Sequence, residues 1–536
     1  MSIINIYTNI SNSYDKYNNN DKYSNNELFL KLQNLDSIYT QKNITKLDTL
    51  DKYNTSAKEL YGEVFTPFNV IDNMIDILPL NIFTNPKYKF LDPGAGRGNI
   101  SIKIYLKLMS GLENFKKNKQ ERHDYIIKNM LYLIEIQENN IQYLKYLFGE
   151  DANIYKIDYL SYKPNIKFDV IISNPPYNSK GFKKVPTNIK LDKKRDGITI
   201  WTQFVYHNFS HLKPKQHLLL IIPSIWMKPD RAGIYNLLTS YQLKNIRCFN
   251  ASDMNTLFKK QAQTPTSIVY CINIKYKSIS NNKSLILYDK IHNTYFDYKY
   301  NYPDPIPLAN VSILNKMQYS DSRIDSDSRI DSDSRIDTDN IFNKSKFESM
   351  YDYNILTIKR SNIVKPGTIL KTEKQDNYIY PNIRTAKLSN KDNYKNNKKN
   401  VKLVVEWSDK PLAYYNMSKL VLPHKMNGFP ILDLKGEYGI SNRDNFIFLS
   451  SDTNYLKNLE KVFSTYTFIL LFDCTRYRMR YLENYIFKLI PNMNNYFAIY
   501  KDKDINDTTL ASYYNFDKDE IDAINQLQKL NYTFKY

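Results

Sequence analysis

The stretch FLDPGAGRGNIS, residues 90–101, decides how the chain is read. It places Gly94, Gly96 and Gly98 within five positions of a 536-residue chain that holds only 13 glycines, well below the usual fraction of about 7%. An apolar run precedes the glycines and an amphipathic segment, SIKIYLKLM (101–109), follows them. Glycines between a strand and a helix let the backbone turn tightly and let a ligand approach it closely.

Outward from this turn, apolar runs alternate with helical patterns. The runs are YKFLD (88–92), LYLIEI (131–136), NIYKID (153–158), FDVIIS (168–173), HLLLIIP (217–223) and TPTSIVYCINIKY (264–276). NNIQYLKYLF (139–148) and WTQFVYHNFSHL (201–212) fall between them. Continuous apolar strands separated by helices predict a mostly parallel sheet covered on both faces, within a domain at 56–300. Residues 1–55, rich in Asn, Tyr, Ser and Lys, read as a low-complexity arm. Three SDSRID hexapeptides at 320–337 carry one Ile each and cannot build a core, so 301–345 reads as a linker. Strand-like runs resume with VKLVVEW (401–407), KLVLPH (419–424) and NFIFLS (445–450), predicting a second domain at 346–536. Within it, TFILLFDCTRYRMRYLENYIFKLIP (467–491) reads as a basic helix followed by an apolar stretch. Its CTRYRMRY part suits either phosphate and base contacts or an exposed helix face.

The net charge of +20 favours a polyanionic partner such as nucleic acid. A coding bias towards Asn, Lys, Ile and Tyr (47 Tyr) would raise the charge by itself, so charge alone does not decide. Three cysteines and six scattered histidines give no disulfide framework and no metal-ligand spacing, which points to a reducing, intracellular compartment. The apolar run LLLIIPSIWM (218–227) is too short to span a bilayer, and no signal peptide is read at the N-terminus.

Three acids and one loop carry the chemistry. Asp92 ends the first strand, where it suits a cationic amino group better than a pyrophosphate and moves the expected ligand from a dinucleotide to S-adenosylmethionine. Glu135 ends the second strand, where it can accept ribose hydroxyls, although it lies farther on than the ~20 residues usual for that role. Asp158 follows the third strand and could accept from an adenine amino group. Either of the last two could also be a strand-end cap. The fourth strand ends in Asn174-Pro175-Pro176-Tyr177. Each proline fixes its own φ and holds the preceding residue extended, giving a stiff corner with carbonyl oxygens and no proline N–H. The Asn174 amide oxygen and the Pro175 carbonyl could grip both hydrogens of one planar amine, and Tyr177 could stack on its ring.

Together these segments resemble the amino-group DNA methyltransferases, specifically the N6-adenine type with a C-terminal target-recognition domain, the gamma arrangement found in type II restriction-modification methylases. YGEVFTP (61–67) matches the segment that closes over the methionine end of the cofactor, implying contacts from Glu63, Thr66 and Pro67. DPGAGRG (92–98) matches the cofactor loop and NPPY (174–177) the catalytic loop. LLLIIPSIWM (218–227) resembles the strand that follows, with its Pro-Ser turn. The resemblance implies a class I SAM-dependent methyltransferase fold (α/β, Rossmann-like, a mostly parallel seven-stranded sheet) plus a C-terminal α+β target-recognition domain. It implies S-adenosyl-L-methionine as cofactor, no metal, and methylation of an adenine flipped out of double-stranded DNA. Asn174 would also touch the cofactor. Phe258 would pack on the flipped base unless it is a core side chain. Lys183 and Lys184, in the loop after the catalytic corner, would contact phosphates unless that loop is only solvated. The implied chain is a monomer that uses no membrane, with room for a separate restriction endonuclease. Two other readings stay open: a related enzyme acting on RNA adenine or a protein glutamine amide, and a non-catalytic DNA-binding subunit.

Overall fold

The computed structural model describes residues 61, 64–179, 198–258, 262–276, 283–324, 347–361, 364–388, 401–424, 429–478 and 482–529. Glu63, Lys183, Lys184 and the arm at 1–55 lie outside them. The chain divides into two compact units, Met1–Ser280 and Asn281–Tyr536.

The first unit is built on seven strands: β1 Phe90–Pro93, β2 Leu131–Glu135, β3 Asn153–Lys156, β4 Phe168–Ser173, β5 Leu212–Pro223, β6 Tyr241–Phe249 and β7 Thr266–Lys275. They lie in the order β3-β2-β1-β4-β5-β7-β6. The first five pair in parallel, and β7 enters antiparallel between β5 and β6. Among these seven strands only β7 runs against the others, which is the class I methyltransferase topology. Strand order reverses at β1, where a doubly wound sheet opens a crevice at its carboxyl edge.

The apolar runs form strands because both sheet faces are covered. Val170, Ile172, Leu219 and Ile221 enter the cluster formed with helices α1 (Phe68–Ile75) and α2 (Asn99–Gly111). Their neighbours Ile171, Leu220 and Ile222, pointing the other way, are equally buried. Helices α3 (Lys119–Tyr125), α4 (Glu138–Phe148), α5 (Trp201–His211), α6 (Ile234–Thr239) and α7 (Ala251–Leu257) complete the unit. The strand β6 has no counterpart among the sequence expectations. Its buried residues Leu243, Ile246 and Phe249 recur every third position. Two register shifts against β7 break the two-residue alternation that would betray a strand.

The second unit opens with the hairpin β8 (Lys283–Asp289) and β9 (Thr294–Tyr300), then helix α8 (Val311–Ile324). That helix corrects the expected linker: Ile313, Leu314 and Met317 are fully buried, and the first hexapeptide supplies its last turn. Strands β10 (Thr357–Arg360), β11 (Tyr380–Leu388), β12 (Val401–Ser408), β13 (Lys419–Pro423), β14 (Ile431–Asp433), β15 (Gly439–Ile440) and β16 (Asn445–Leu449) make two sheets, β10-β16-β13-β14 and β12-β11-β15. Helices α9 (Thr453–Val462), α10 (Tyr466–Asp473), α11 (Asn494–Ile499), α12 (Asp507–Tyr513) and α13 (Lys518–Lys529) follow. The basic helix expected at 467–491 is corrected too. Among the described residues the α-helix there is the apolar Tyr466–Asp473, and Asn484–Lys488 forms a short 3₁₀ helix. In CTRYRMRY, Tyr477 is 1% exposed with its hydroxyl donating to the Ile306 carbonyl at 2.6 Å, and Arg476 pairs with Asp473 at 3.0 Å. The described part of this segment is a core junction, not an exposed face.

Two histidine placements add to the sequence reading. His207 and His211 lie one turn apart on α5 with their Nε2 atoms 2.9 Å apart, and burial pushes His211 down to about 4. In the second unit His292, Asp517 and Glu520 converge within 4.8 Å. There the Lys316 ammonium bonds both acids, at 2.8 and 2.6 Å, and supplies the cation.

Candidate active site

Three strand ends meet at the carboxyl edge of the first sheet. After β1 the chain turns through Gly94, Gly96 and Gly98 with φ of +90°, +55° and +83°, all in the region that side chains rarely adopt. The N–H groups of Gly94 and Ala95 both donate to the Ile134 carbonyl at 2.9 Å, fastening the turn to the end of β2. Gly98 then starts α2 and lies against α4: a Cβ there would sit 2.8 Å from the Leu144 Cδ2.

Asp92 lies beneath this turn and does not open to the crevice. It is 1% exposed; Ser101 Oγ donates to its Oδ2 at 2.6 Å, and its Oδ1 is buried with no partner among the described residues. Burial pushes its carboxyl up to about 7, against the Ser101 hydrogen bond and helped by the nearby Glu135 charge. Glu135 is 5% exposed and receives Gly96 N on one oxygen and Ile136 N and Gln137 N on the other, each at 2.8 Å. It therefore ties β2 to the glycine turn from the crevice side. Ile136, the next residue, is 45% exposed and offers an apolar face beside that carboxylate. Asp158, exposed, caps a short 3₁₀ turn by accepting from Leu160 N at 3.0 Å, the cap role its position allowed.

The corner Asn174–Tyr177 follows β4. Ser173 Oγ donates to the Pro93 carbonyl at 3.3 Å, holding the ends of β1 and β4 together. Pro175 is buried, and Pro176 reaches the glycine turn: a Cβ on Gly94 would lie 3.9 Å from its Cδ. Nδ2 of Asn174 donates to Oγ1 of Thr66 at 2.8 Å. Thr66 is 5% exposed, and its carbonyl accepts from Asn99 Nδ2 at 3.1 Å. Pro67 caps α1, accepting from Val70 and Ile71. Phe65 covers the turn from above, with the Arg97 guanidinium 4.9 Å from its ring centroid. Tyr177 is half-buried; its hydroxyl is enclosed and hydrogen-bonded to Thr266, and burial pushes that hydroxyl well above its usual range. Beyond it, Asn178–Ser179 pairs antiparallel with Ile198–Thr199.

Asn174 and Thr66 are thus joined by a hydrogen bond, as are Glu135 and Gly96, and Pro176 and Asp92 lie beside the same glycine turn. Phe258 stands apart: it is 5% exposed and belongs to the apolar cluster with Phe249, Met254, Ile268 and Tyr270, so in this structure it is a core ring. Phe65, Asn99, Ser101, Ile136 and Thr266 were not singled out from the sequence. Only Ile136 carries a sequence signal, as the apolar residue directly after the strand-end acid.

The residues fit a group that brings a cation, a sugar and a planar base. Positive-φ glycines clear the space, an orphaned carboxyl oxygen lies beneath, and a strand-end carboxylate is followed by an exposed apolar side chain.

Residues 26–254 match the family described as Eco57I restriction-modification methylase. The Type II methyltransferase M.AccI of Acinetobacter calcoaceticus is 27% identical over 233 residues, covering 39% of this chain and 42% of that protein. The chain therefore matches less than half the length of that relative. Among solved structures, the type IIL restriction-modification enzyme MmeI in complex with DNA aligns over 92% of this chain and 81% of its own, at 12% identity and a TM-score of 0.45. The type I restriction enzyme EcoKI M protein aligns over 53% of this chain and 64% of its own, at 13% identity and a TM-score of 0.32. Residues 26–254 thus resemble a restriction-modification methylase family, and the sheet order with its glycine turn is that of a class I S-adenosylmethionine-dependent methyltransferase fold.

Proposed function

We propose that the protein transfers a methyl group from S-adenosylmethionine to N6 of an adenine in a specific double-stranded DNA sequence. The observation that carries this reading is Asn174: its carboxamide stands at the end of β4, beside the glycine turn, with its nitrogen already engaged by Thr66. The amide oxygen is then the atom available to an incoming amine.

When bound, S-adenosylmethionine supplies an electrophilic methyl group on a sulfonium. Its methionine end would lie over Gly94 and Gly96 beneath Phe65, its ribose would face Glu135, and its base would rest on Ile136. Asn174 Oδ1 and the Pro175 carbonyl accept the two N–H bonds of the target amine and localise its lone pair on nitrogen. A nitrogen–methyl bond forms as the sulfur–methyl bond breaks, leaving S-adenosylhomocysteine. The nitrogen then sheds a proton to water, so no strong base is needed. Tyr177, anchored through its hydroxyl to Thr266, presents a ring face for stacking. An adenine inside a duplex must leave its stack to reach this corner, at a cost of a few kcal/mol by order of magnitude, offset by that stacking and the amine's hydrogen bonds.

The test is incubation with methyl-labelled S-adenosylmethionine and, separately, duplex DNA, RNA or a glutamine-bearing protein. The expected result is label on N6 of adenine in duplex DNA. Label in RNA or protein would transfer the same chemistry to another substrate. DNA binding without turnover would make the chain a binding subunit.

A further inference from the structure

Thr66 lies in a segment whose resemblance assigns it to the cofactor, yet its side chain is occupied elsewhere. It is 5% exposed, and its Oγ1 accepts Nδ2–H of Asn174 at 2.8 Å, across 108 residues of sequence. Its backbone is fixed from both sides. The carbonyl is bonded by Asn99, the first residue of α2, at 3.1 Å, and Pro67 begins α1 directly after it. The residue is thus held between two helix starts.

A carboxamide has two ends of similar size and opposite hydrogen-bonding sense. Turned one way, Asn174 offers an acceptor to an amine. Turned the other, it offers two N–H donors, repels the amine hydrogens and cannot raise the nitrogen's nucleophilicity. Pro175 and Pro176 fix the backbone but not the last torsion of Asn174, which is broad and roughly two-fold. Something outside the loop must choose the orientation; the Thr66 hydroxyl can donate or accept, and in this structure it accepts from Nδ2, leaving the oxygen end turned away from it.

We propose that Thr66 is a positioning residue for methyl transfer: it holds the nitrogen end of the Asn174 carboxamide so that the oxygen end faces the reacting amine. The inference rests on the function proposed above and assigns Thr66 a role distinct from cofactor binding. Thr66→Val removes the hydroxyl at nearly constant shape; Thr66→Ser keeps it. In single-turnover assays at saturating S-adenosylmethionine, Thr66→Val is expected to lower the transfer rate by about 10–100-fold, the scale of a misplaced reacting group. Its cofactor Kd should stay within about twofold, the expectation for a group that acts only on the transfer step. Thr66→Ser should restore most of the rate.

A second readout needs no turnover. With 15N-asparagine labelling, the Asn174 carboxamide signal, identified by its loss in Asn174→Ala, should show slowed hydrogen exchange in the wild type and in Thr66→Ser. That protection should vanish in Thr66→Val. An unchanged transfer rate in Thr66→Val, or a loss explained wholly by weaker cofactor binding, overturns the proposal. So does an Asn174 amide that exchanges equally fast in all three proteins. If the wild type transfers no methyl group to DNA, the functional reading fails and the exchange experiment still decides the Thr66–Asn174 link.

Discussion

Asn174 and Asp92 show how far single residues can be taken. On the proposed function Asn174 accepts from the target amine, so Asn174→Ala should lower methyl transfer by about 10²–10³-fold, the usual scale for removing one aligned electrostatic group. Equilibrium dialysis should find S-adenosylmethionine binding intact; near-normal turnover would remove Asn174 from the mechanism. Asp92 is a different case, because its effect is electrical and not a contact. With its carboxyl pushed up to about 7, a large share is protonated at neutral pH. A cation arriving on the turn above lowers that value and expels the proton. Calorimetry at pH 6.5–7 in buffers of different ionisation enthalpy should therefore detect proton release on cofactor binding, with Asp92→Asn abolishing it. The stability sign follows from the same shift. The folded state holds a proton that the unfolded chain releases near pH 3.9, so Asp92 makes stability fall as pH rises from about 4 to 7, and Asp92→Asn should flatten that slope.

At the scale of elements, the two units keep their irregular pieces in place by different means. In the first, helix α2 can start directly after β1 only because Gly98 takes a φ of +83° while Leu144 of α4 closes over it. Gly98→Ala combines a left-handed backbone with a 2.8 Å contact, and urea unfolding should show a loss of about 1–3 kcal/mol. In the second, Lys419 is fully buried in β13 and donates to Asp433 at 2.5 Å and to the Met417 carbonyl at 3.1 Å. Asp433 also accepts from the N–H groups of Glu437 and Tyr438, so it shapes the loop after β14. Lys419→Met strands that carboxylate in the core, and a cost of about 3–5 kcal/mol is expected. Changing Asp433 to Leu as well should not recover the loss, since two loop N–H groups then lose their acceptor. A double variant as stable as the wild type would show that the pair is dispensable.

For the whole molecule, the second unit closes through one charged cluster. His292, after β8, bonds Asp289 at 2.9 Å and Asp517, beside α13, at 3.0 Å, while Lys316 of α8 joins Asp517 and Glu520. Burial lowers the His292 imidazole, but the two carboxylates outweigh it and the net shift is upward. Burial would raise Asp517, but Lys316, the Glu520 N–H and His292 hold it well below the usual range. The signs are opposite. The histidine's contribution is complete below about pH 6.5 and is lost as pH rises through its higher folded value. The aspartate's is complete above about pH 3.9 and is lost as pH falls through its depressed one. Thermal unfolding followed across pH should therefore show an alkaline decline above pH 6.5 that His292→Gln removes; an unchanged decline would place its origin elsewhere. If the proposed function holds, binding to duplex DNA should weaken steeply with salt, as the charge of +20 leads one to expect.

The sequence by itself determined the parallel core and the place of its reactive edge. FDVIIS reads as a strand because it is a short continuous apolar run, and all of it is buried; FLDPGAGRGNIS reads as a turn because glycine takes positive φ without the strain a side chain adds. These are local rules, legible one segment at a time. Tertiary structure alone decided what distant segments do to each other. It turned Thr66 towards Asn174, took Phe258 into the core, ran a helix with a buried start into the first SDSRID repeat and hid β6 behind two register shifts. In each case the deciding partner lies outside the segment itself, and a hydrogen bond or a buried contact between separate segments leaves no periodic mark on either.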